Sequence, residues 1–460
     1  MHADARRAAL LVTLLASFVT PFMASSVNIA LPTIGREFGA DAVRLGWVAT
    51  AYILAAAALL LPFGRLADIR GRRRVFLWGS LAYAVASVAC ALAPSIGWLI
   101  ALRAVQGGAV STIFATSTAL LTSVFPPGER GRVLGINVAA VYIGLSLGPS
   151  LGGVMTQHLG WRTLFLANLP LGLSIALLLA WRLRGEWAEA RGESFDLVGT
   201  LVLAATLTLL MLGTPEVGRA GGWLLLPGAI GLVAFVLWER RARHPLLDPA
   251  LFTESPVFAF SNLAALINYA ATFAVTFLLS LYLQVVKALS PQAAGLILIA
   301  QPLVMAACSP FAGRLSDRVQ PRTVASAGMG LTALGLALLT ALGPATPLPA
   351  IMATLGLLGL GFGLFSSPNT NAVMGAVERR YYGVASATLG TMRLTGQMVS
   401  MGLASLVFAL ALGRVPIAAA RPENVLQSLR AAFLLFTLLC GLGIFASLAR
   451  GTVARGSARP

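Results

Sequence analysis

A chain that crosses lipid must satisfy every backbone hydrogen bond internally, and a helix of about 20 apolar residues does so across roughly 30 Å of hydrocarbon. Such runs recur along all 460 residues of this chain, beginning near residues 8, 45, 75, 97, 132, 162, 196, 222, 257, 291, 322, 348, 384 and 430. They are long and continuous and lack the period-two alternation of strands. The sequence therefore predicts an all-α polytopic membrane protein of about fourteen spans. Composition points the same way. With 58% hydrophobic and 11% charged residues, the chain is far below the roughly 25% charge that covers a soluble core. Arg6 and Arg7 precede the first run as in a secretory leader, but the run extends to about Pro32. That is too long for a leader, so it is read as an uncleaved first span.

The formal net charge of +17 invites a nucleic-acid reading, which its distribution removes. Basic residues sit in short segments between apolar runs and form no stripe interleaved with stacking aromatics. Arginine and lysine are retained on the cytoplasmic side of a membrane. With the N-terminus inside, the inside segments hold 23 of the 33 basic residues, among them Arg65, Arg70, Arg72, Arg73, Arg74 and Arg450, and the outside segments hold eight. Arg103 and Arg393 fall within spans. An even span count and cytoplasmic termini in a bacterial-type inner (plasma) membrane follow. Cys90, Cys308 and Cys440 lie far apart inside apolar runs, with no metal-ligand spacing and no disulfide framework. No phosphate-binding Gly-rich loop ending in Lys-Ser or Lys-Thr is present, so neither ATP drive nor any cofactor is expected.

An internal repeat organises the runs. Gly64-Arg65-Leu66-Ala67-Asp68 follows the second span and Gly313-Arg314-Leu315-Ser316-Asp317 follows the tenth, offset by 249 residues at each position. Duplicated six-helix halves are a transporter signature. The halves are placed at residues 1–190 and 246–460, with two inserted helices in residues 191–245.

The segment from Gly64 through Asp68, Gly71 and Arg72 to Arg74 resembles the signature between spans two and three of the major facilitator superfamily. Arg103 with Gln106-Gly107-Gly108 is similar to that family's basic motif of span four, and Gly144 to Gly153 to its antiporter motif of span five. Asn28 to Pro32, Trp161 to Pro170 and Thr391-Met392-Arg393 resemble the fourteen-span drug:proton antiporter branch. The resemblance covers nearly the whole chain and implies alternating access, in which two halves rock around a central site. One position departs from it: Met23 stands where related exporters carry a span-one aspartate.

The candidate residues divide into two groups. Asp68, at a span end among arginines, has the chemistry to cap a helix or pair with a guanidinium across the seam between halves. Gly64, Gly71, Arg72 and Asp317 belong to the same gating set. Gly144, Gly148 and Gly152 form one bare stripe along a helix beside Pro149, which suits close helix packing and a bend. A buried guanidinium costs at least about 2.5–3.5 kcal/mol, so Arg103 is expected to face a cavity or a partner, with Gln106 one turn away. Asn28, Gln301 and Arg393 complete the substrate or proton-coupling candidates. The expected activity is secondary active export of small amphipathic compounds coupled to protons. The alternatives are import of a small metabolite or a non-transporting receptor or scaffold. No acid, base or nucleophile is grouped as in an enzyme.

Overall fold

A computed structural model describes residues 3–40, 42–183, 185–213, 222–289, 291–412 and 422–451. Arg184, Arg219, Arg414, Arg421, Arg455 and Arg459, which entered the charge reading, lie outside the described residues. Among the described residues there is no strand. Six helices open the chain: α1 (Ala3–Phe38), α2 (Ala42–Arg70), α3 (Arg72–Ala91), α4 (Ile96–Val124), α5 (Pro127–Leu159) and α6 (Arg162–Arg182). Then come α7 (Leu197–Gly213) and α8 (Leu225–Glu239). The remaining helices are α9 (Pro256–Val286), α10 (Ala293–Arg318), α11 (Pro321–Thr340), α12 (Leu348–Gly375), α13 (Tyr382–Leu412) and α14 (Pro422–Ala449). Twelve helices among the described residues are long and apolar enough to cross a membrane, and residues Leu197–Leu210 of α7 form a shorter apolar helix.

The breaks between helices follow local chemistry. Gly71 separates α2 from α3 with φ of 108°, a region open to glycine because it lacks a Cβ. Ser95 caps α4 by accepting from the Trp98 amide, and Ser255 caps α9 ahead of Pro256 at its first position. The last turn of α9, Tyr282–Val286, widens to π geometry.

Helices α1 to α6 bury two apolar clusters among themselves, one around Phe76, Tyr83 and Leu120 and one around Phe22, Met23, Trp161 and Phe165. Helices α9 to α14 share a larger cluster around Tyr282, Leu355, Phe433 and Phe436. The two bundles meet chiefly where α5 packs against α10 and α12, and where α13 packs against α2 and α4. The α7–α8 pair leans on α2, with Leu203, Leu207 and Phe235 against Leu60 and Leu61.

Candidate functional site

Where the bundles meet, the described residues include a polar seam at the arginine-rich end and an aromatic cluster nearer mid-span.

At the seam, the α2–α3 turn delivers Asp68 to the start of α13. The fully buried Asp68 carboxylate accepts from the amides of Gly383 at 2.8 Å and Val384 at 3.0 Å. These amides lie in the first turn of a helix, where no intrahelical acceptor exists and the dipole favours a negative charge. Arg72, also fully buried, donates through Nε and Nη2 to Asp68 Oδ1 at 3.0 and 2.7 Å. Its other donations reach Ser123 Oγ at 2.7 Å and the Arg379 carbonyl across the seam. The Tyr382 ring lies near two guanidinium carbons, those of Arg72 and Arg130, each 5.3 Å from its centroid. Gly64 allows this approach, since a Cβ there would meet Gly383 O at 2.6 Å.

The repeat partner does the same work in reverse. Asp317 at the end of α10 accepts from Gly131 at 2.8 Å and Arg132 at 3.0 Å near the start of α5. Ser367 of α12 adds a bond to the Gly131 carbonyl at 3.2 Å. The match stops short of the arginine: Gln320 and Pro321 occupy the places corresponding to Gly71 and Arg72, so Asp317 has no guanidinium of that origin.

The segment between the first bundle and α7 is folded onto this seam. Arg72 N donates to Trp187 O at 3.0 Å, Ala190 N to Asp68 O at 3.2 Å, and Arg73 N to Glu186 Oε1 at 3.0 Å. Arg65 pairs with Glu193, which His244 Nδ1 also approaches at 3.4 Å.

Nearer mid-span, Phe362 of α12 meets Tyr142 of α5 and Tyr269 of α9 edge-on, with centroids 6.0 and 5.1 Å apart. Arg393 of α13 reaches this cluster with its guanidinium carbon 5.7 Å from the Tyr269 centroid. Its Nη2 donates to Thr370 Oγ1 at 2.6 Å, while its Nε is buried without a partner among the described residues. Met305 of α10 closes the group. Sequence reading placed Arg393 among its candidates but missed Tyr142, Tyr269 and Phe362. Each is one aromatic residue in an apolar run, with no spacing that marks it.

The other candidates lie elsewhere. Arg103 is fully buried inside the first bundle and away from the aromatic cluster. It donates to Val48 O at 3.0 Å and to Gln106 Oε1 at 2.6 Å, and Gln106 passes a 2.6 Å bond to Ser87. Its guanidinium lies over Tyr52 at 4.1 Å. The charge is thus held by dipoles and a ring face. Met23 is buried in the same bundle's apolar cluster. Asn28 is exposed on α1, and Gln301 is buried on α10 against Gly359 of α12. Along α5, Gly144, Gly148 and Gly152 face Phe18, Phe22, Ser25 and Ser26 of α1, and Ser26 Oγ donates to the Gly148 carbonyl at 2.9 Å. Pro149 lies inside α5 within this stretch. Arg450 stands in the turn just past α14, as the charge reading has it, but its side chain folds back inward. It is fully buried, donating to Ser447 and to Asn369 Oδ1 at 2.9 Å, because the end of α14 offers carbonyl and hydroxyl acceptors to its side chain. Burial, and then the nearby charge of Arg322, lowers its pKa to about 10.

The sequence model of the Major Facilitator Superfamily matches residues 13–262 and again residues 261–459. The chain belongs to the major facilitator superfamily. It is a transporter and not an enzyme. The riboflavin transporter RibZ of Clostridioides difficile is 32% identical over 84% of this chain and 84% of its own length. The cephamycin export protein CmcT of Amycolatopsis lactamdurans is 36% identical over 87% of this chain and 84% of its own length. The proton:xylose symporter XylE, solved with 6-bromo-6-deoxy-D-glucose, shares the fold with a TM-score of 0.67 at 14% identity, covering 95% of each chain. Members of the superfamily's multidrug and antibiotic-resistance branch are among its relatives, in keeping with the motifs that point to that branch.

Proposed function

We propose that this transporter is a proton-coupled exporter of small aromatic amphiphiles, neutral or anionic, working by alternating access between residues 1–190 and residues 246–460. On this reading α7 and α13 complete fourteen spans, with residues 191–245 forming the inserted pair. The arginine-rich end and both termini are cytoplasmic in a bacterial-type inner membrane. Gly64, Asp68, Gly71, Arg72 and Asp317 act as the inner gate. Gly144, Gly148, Pro149 and Gly152 form the packed helix that the gate moves.

The observation that carries the substrate class is Arg393, whose buried Nε has no partner among the described residues and lies beside the Tyr142, Phe362 and Tyr269 rings. An unpartnered buried donor costs about 1–3 kcal/mol or more, which an arriving acceptor or anion recovers while an aromatic body stacks alongside. No described acidic residue belongs to this cluster, and Met23 is apolar where related exporters carry a carboxylate. An organic cation therefore meets Arg393 without compensation in a poorly screened site. The similarity to a cephamycin export protein supports outward transport. The test is extrusion of matched aromatic dyes differing only in charge from energised cells lacking their own exporters, with and without an uncoupler. Uncoupler-sensitive export of the anionic and neutral dyes is expected. Strong export of the cationic dye by the wild type overturns the charge assignment.

A second reading, import of a planar metabolite, is favoured by the similarity to a riboflavin transporter. Uptake of such a compound without an uncoupler-sensitive efflux phase would select it.

A further inference from the structure

We propose that the arginine-rich end carries a binding site for an anionic phospholipid headgroup, made by Arg70, Arg74 and Arg191. A groove of about 460 Å³ there is lined by Ile69, Arg70, Arg74, Arg191, Gly192 and Glu193. The three arginine side chains are exposed, and among the described residues none of their guanidiniums has a hydrogen-bond or ion-pair partner. The nearby carboxylates are largely engaged elsewhere. Glu193 pairs with Arg65 and faces His244, and Glu186 accepts from Arg73 N, while Glu189 is exposed. Three planar cations converging on one groove suit a phosphodiester, which accepts paired N–H donations from each fork.

The neighbourhood selects a lipid over a soluble phosphate. Arg74 and Trp78 lie one turn apart on one face of α3, and Trp78 is 65% exposed, with Val85 two turns further along also exposed. Trp181, at the adjoining end of α6, is 71% exposed. Exposed apolar helix faces ending in tryptophan mark the headgroup level of a bilayer. The groove therefore opens at headgroup depth beside a lipid-facing surface, where basic pockets hold anionic headgroups. A bound headgroup links Arg191 to Arg70 and Arg74, tying the segment that bonds Asp68 O and Arg72 N to the α2–α3 turn it covers. The surrounding anionic lipid then favours the closed seam.

Native mass spectrometry of the full chain in detergent tests this with phosphatidylglycerol, phosphatidylcholine and inorganic phosphate as separate probes. The variants are the triple change Arg70→Gln, Arg74→Gln, Arg191→Gln and, as control, Arg240→Gln, Arg241→Gln, Arg243→Gln, which removes the same charge from another exposed segment. Retained phosphatidylglycerol, with phosphatidylcholine washed away, is expected for the wild type and the control. The groove variant is expected to lose binding by on the order of tenfold or more. Equal losses in both variants, or unchanged binding in the groove variant, overturn the site. Full displacement of the lipid by inorganic phosphate reassigns it to a soluble anion and overturns the lipid. Should the groove variant not fold, phosphatidylglycerol with brominated acyl chains is applied to the wild type. Quenching that Trp78→Phe removes supports the site, and quenching indifferent to Trp78 refutes it.

Discussion

The carboxylate of Asp68 accepts the Gly383 amide at 2.8 Å across the boundary between the two helix bundles, and Asp317 repeats the arrangement at Gly131, also at 2.8 Å. Each bundle thus closes on the other by placing one acid at the beginning of a partner helix. Hydrogen bonds of this kind to a charged group each contribute about 1.5–3 kcal/mol, and separating the two bundles at the arginine-rich end would break them.

Asp68→Asn keeps the size and one acceptor oxygen but removes the charge. Turnover is expected to fall on the order of tenfold or more, with substrate affinity nearly unchanged, because the aromatic cluster is untouched. Asp317→Asn is expected to cost less, since Asp317 lacks the arginine pair that Asp68 makes with Arg72. Initial rates and substrate affinity in proteoliposomes check both statements. Equal effects of the two variants contradict the asymmetry.

Packing along α5 makes a second, local prediction. A Cβ at Gly148 would meet Phe22 O at 2.8 Å and crowd Ser25, whereas one at Gly153 would find Ile29 Cγ2 at an ordinary 3.8 Å. Gly148→Ala is expected to lower stability in detergent by about 1–3 kcal/mol through overpacking, and Gly153→Ala to be tolerated. Thermal unfolding of the two purified variants decides the matter.

Arg103 and Arg393 are both intramembrane arginines, and their surroundings predict different phenotypes. Arg103→Ala strips partners from Val48 O and Gln106 and leaves space against Tyr52. The expected result is a loss of about 1.5–3 kcal/mol for each broken bond, seen as poor yield and low thermal stability. Arg393→Gln breaks one bond to Thr370 and is expected to fold, while export of anionic dyes falls relative to neutral ones. A shift in charge preference from Arg103→Ala with intact stability would reverse this assignment.

At the opposite end, Glu37 of α1 fastens the α5–α6 turn. It accepts from Trp161 Nε1 at 2.7 Å and from Arg162 Nη1 at 2.9 Å. The Arg162 hydrogen bond, then that of Trp161, lowers its pKa below the usual glutamate value. A lowered folded-state pKa gives stability that is present above the unfolded value and lost as pH falls through the folded one. Acidification below about pH 4.5 is therefore expected to erase the advantage of wild type over Glu37→Gln that is measured at neutral pH. The two side chains of the pair are 42% and 40% exposed, so solvent screening holds the advantage to at most about 1 kcal/mol. Thermal unfolding of both proteins across that pH range checks the sign.

The helical runs, the alternation of arginine-rich segments and the repeated Gly-Arg-Leu to Asp stretch are legible in the sequence alone. Transfer of apolar groups to lipid and retention of arginine on one side are sums over neighbouring residues, so a linear reading captures them. The stripe Gly144, Gly148, Gly152 is legible for the same reason, since helical spacing puts all three on one face. Partners are another matter. Nothing local tells that Asp68 caps a helix beginning more than 300 residues later, that Arg450 turns inward among serines, or that Arg103 is enclosed by one bundle while Arg393 meets the aromatic cluster between two. Those outcomes depend on how each helix is rotated against its neighbours, and side-chain fit across a lipid-solvated bundle sets that rotation, because apolarity no longer distinguishes inside from outside. Sequence determined that the chain crosses a membrane many times as a duplicated helical transporter; tertiary packing decided which of its charges meet.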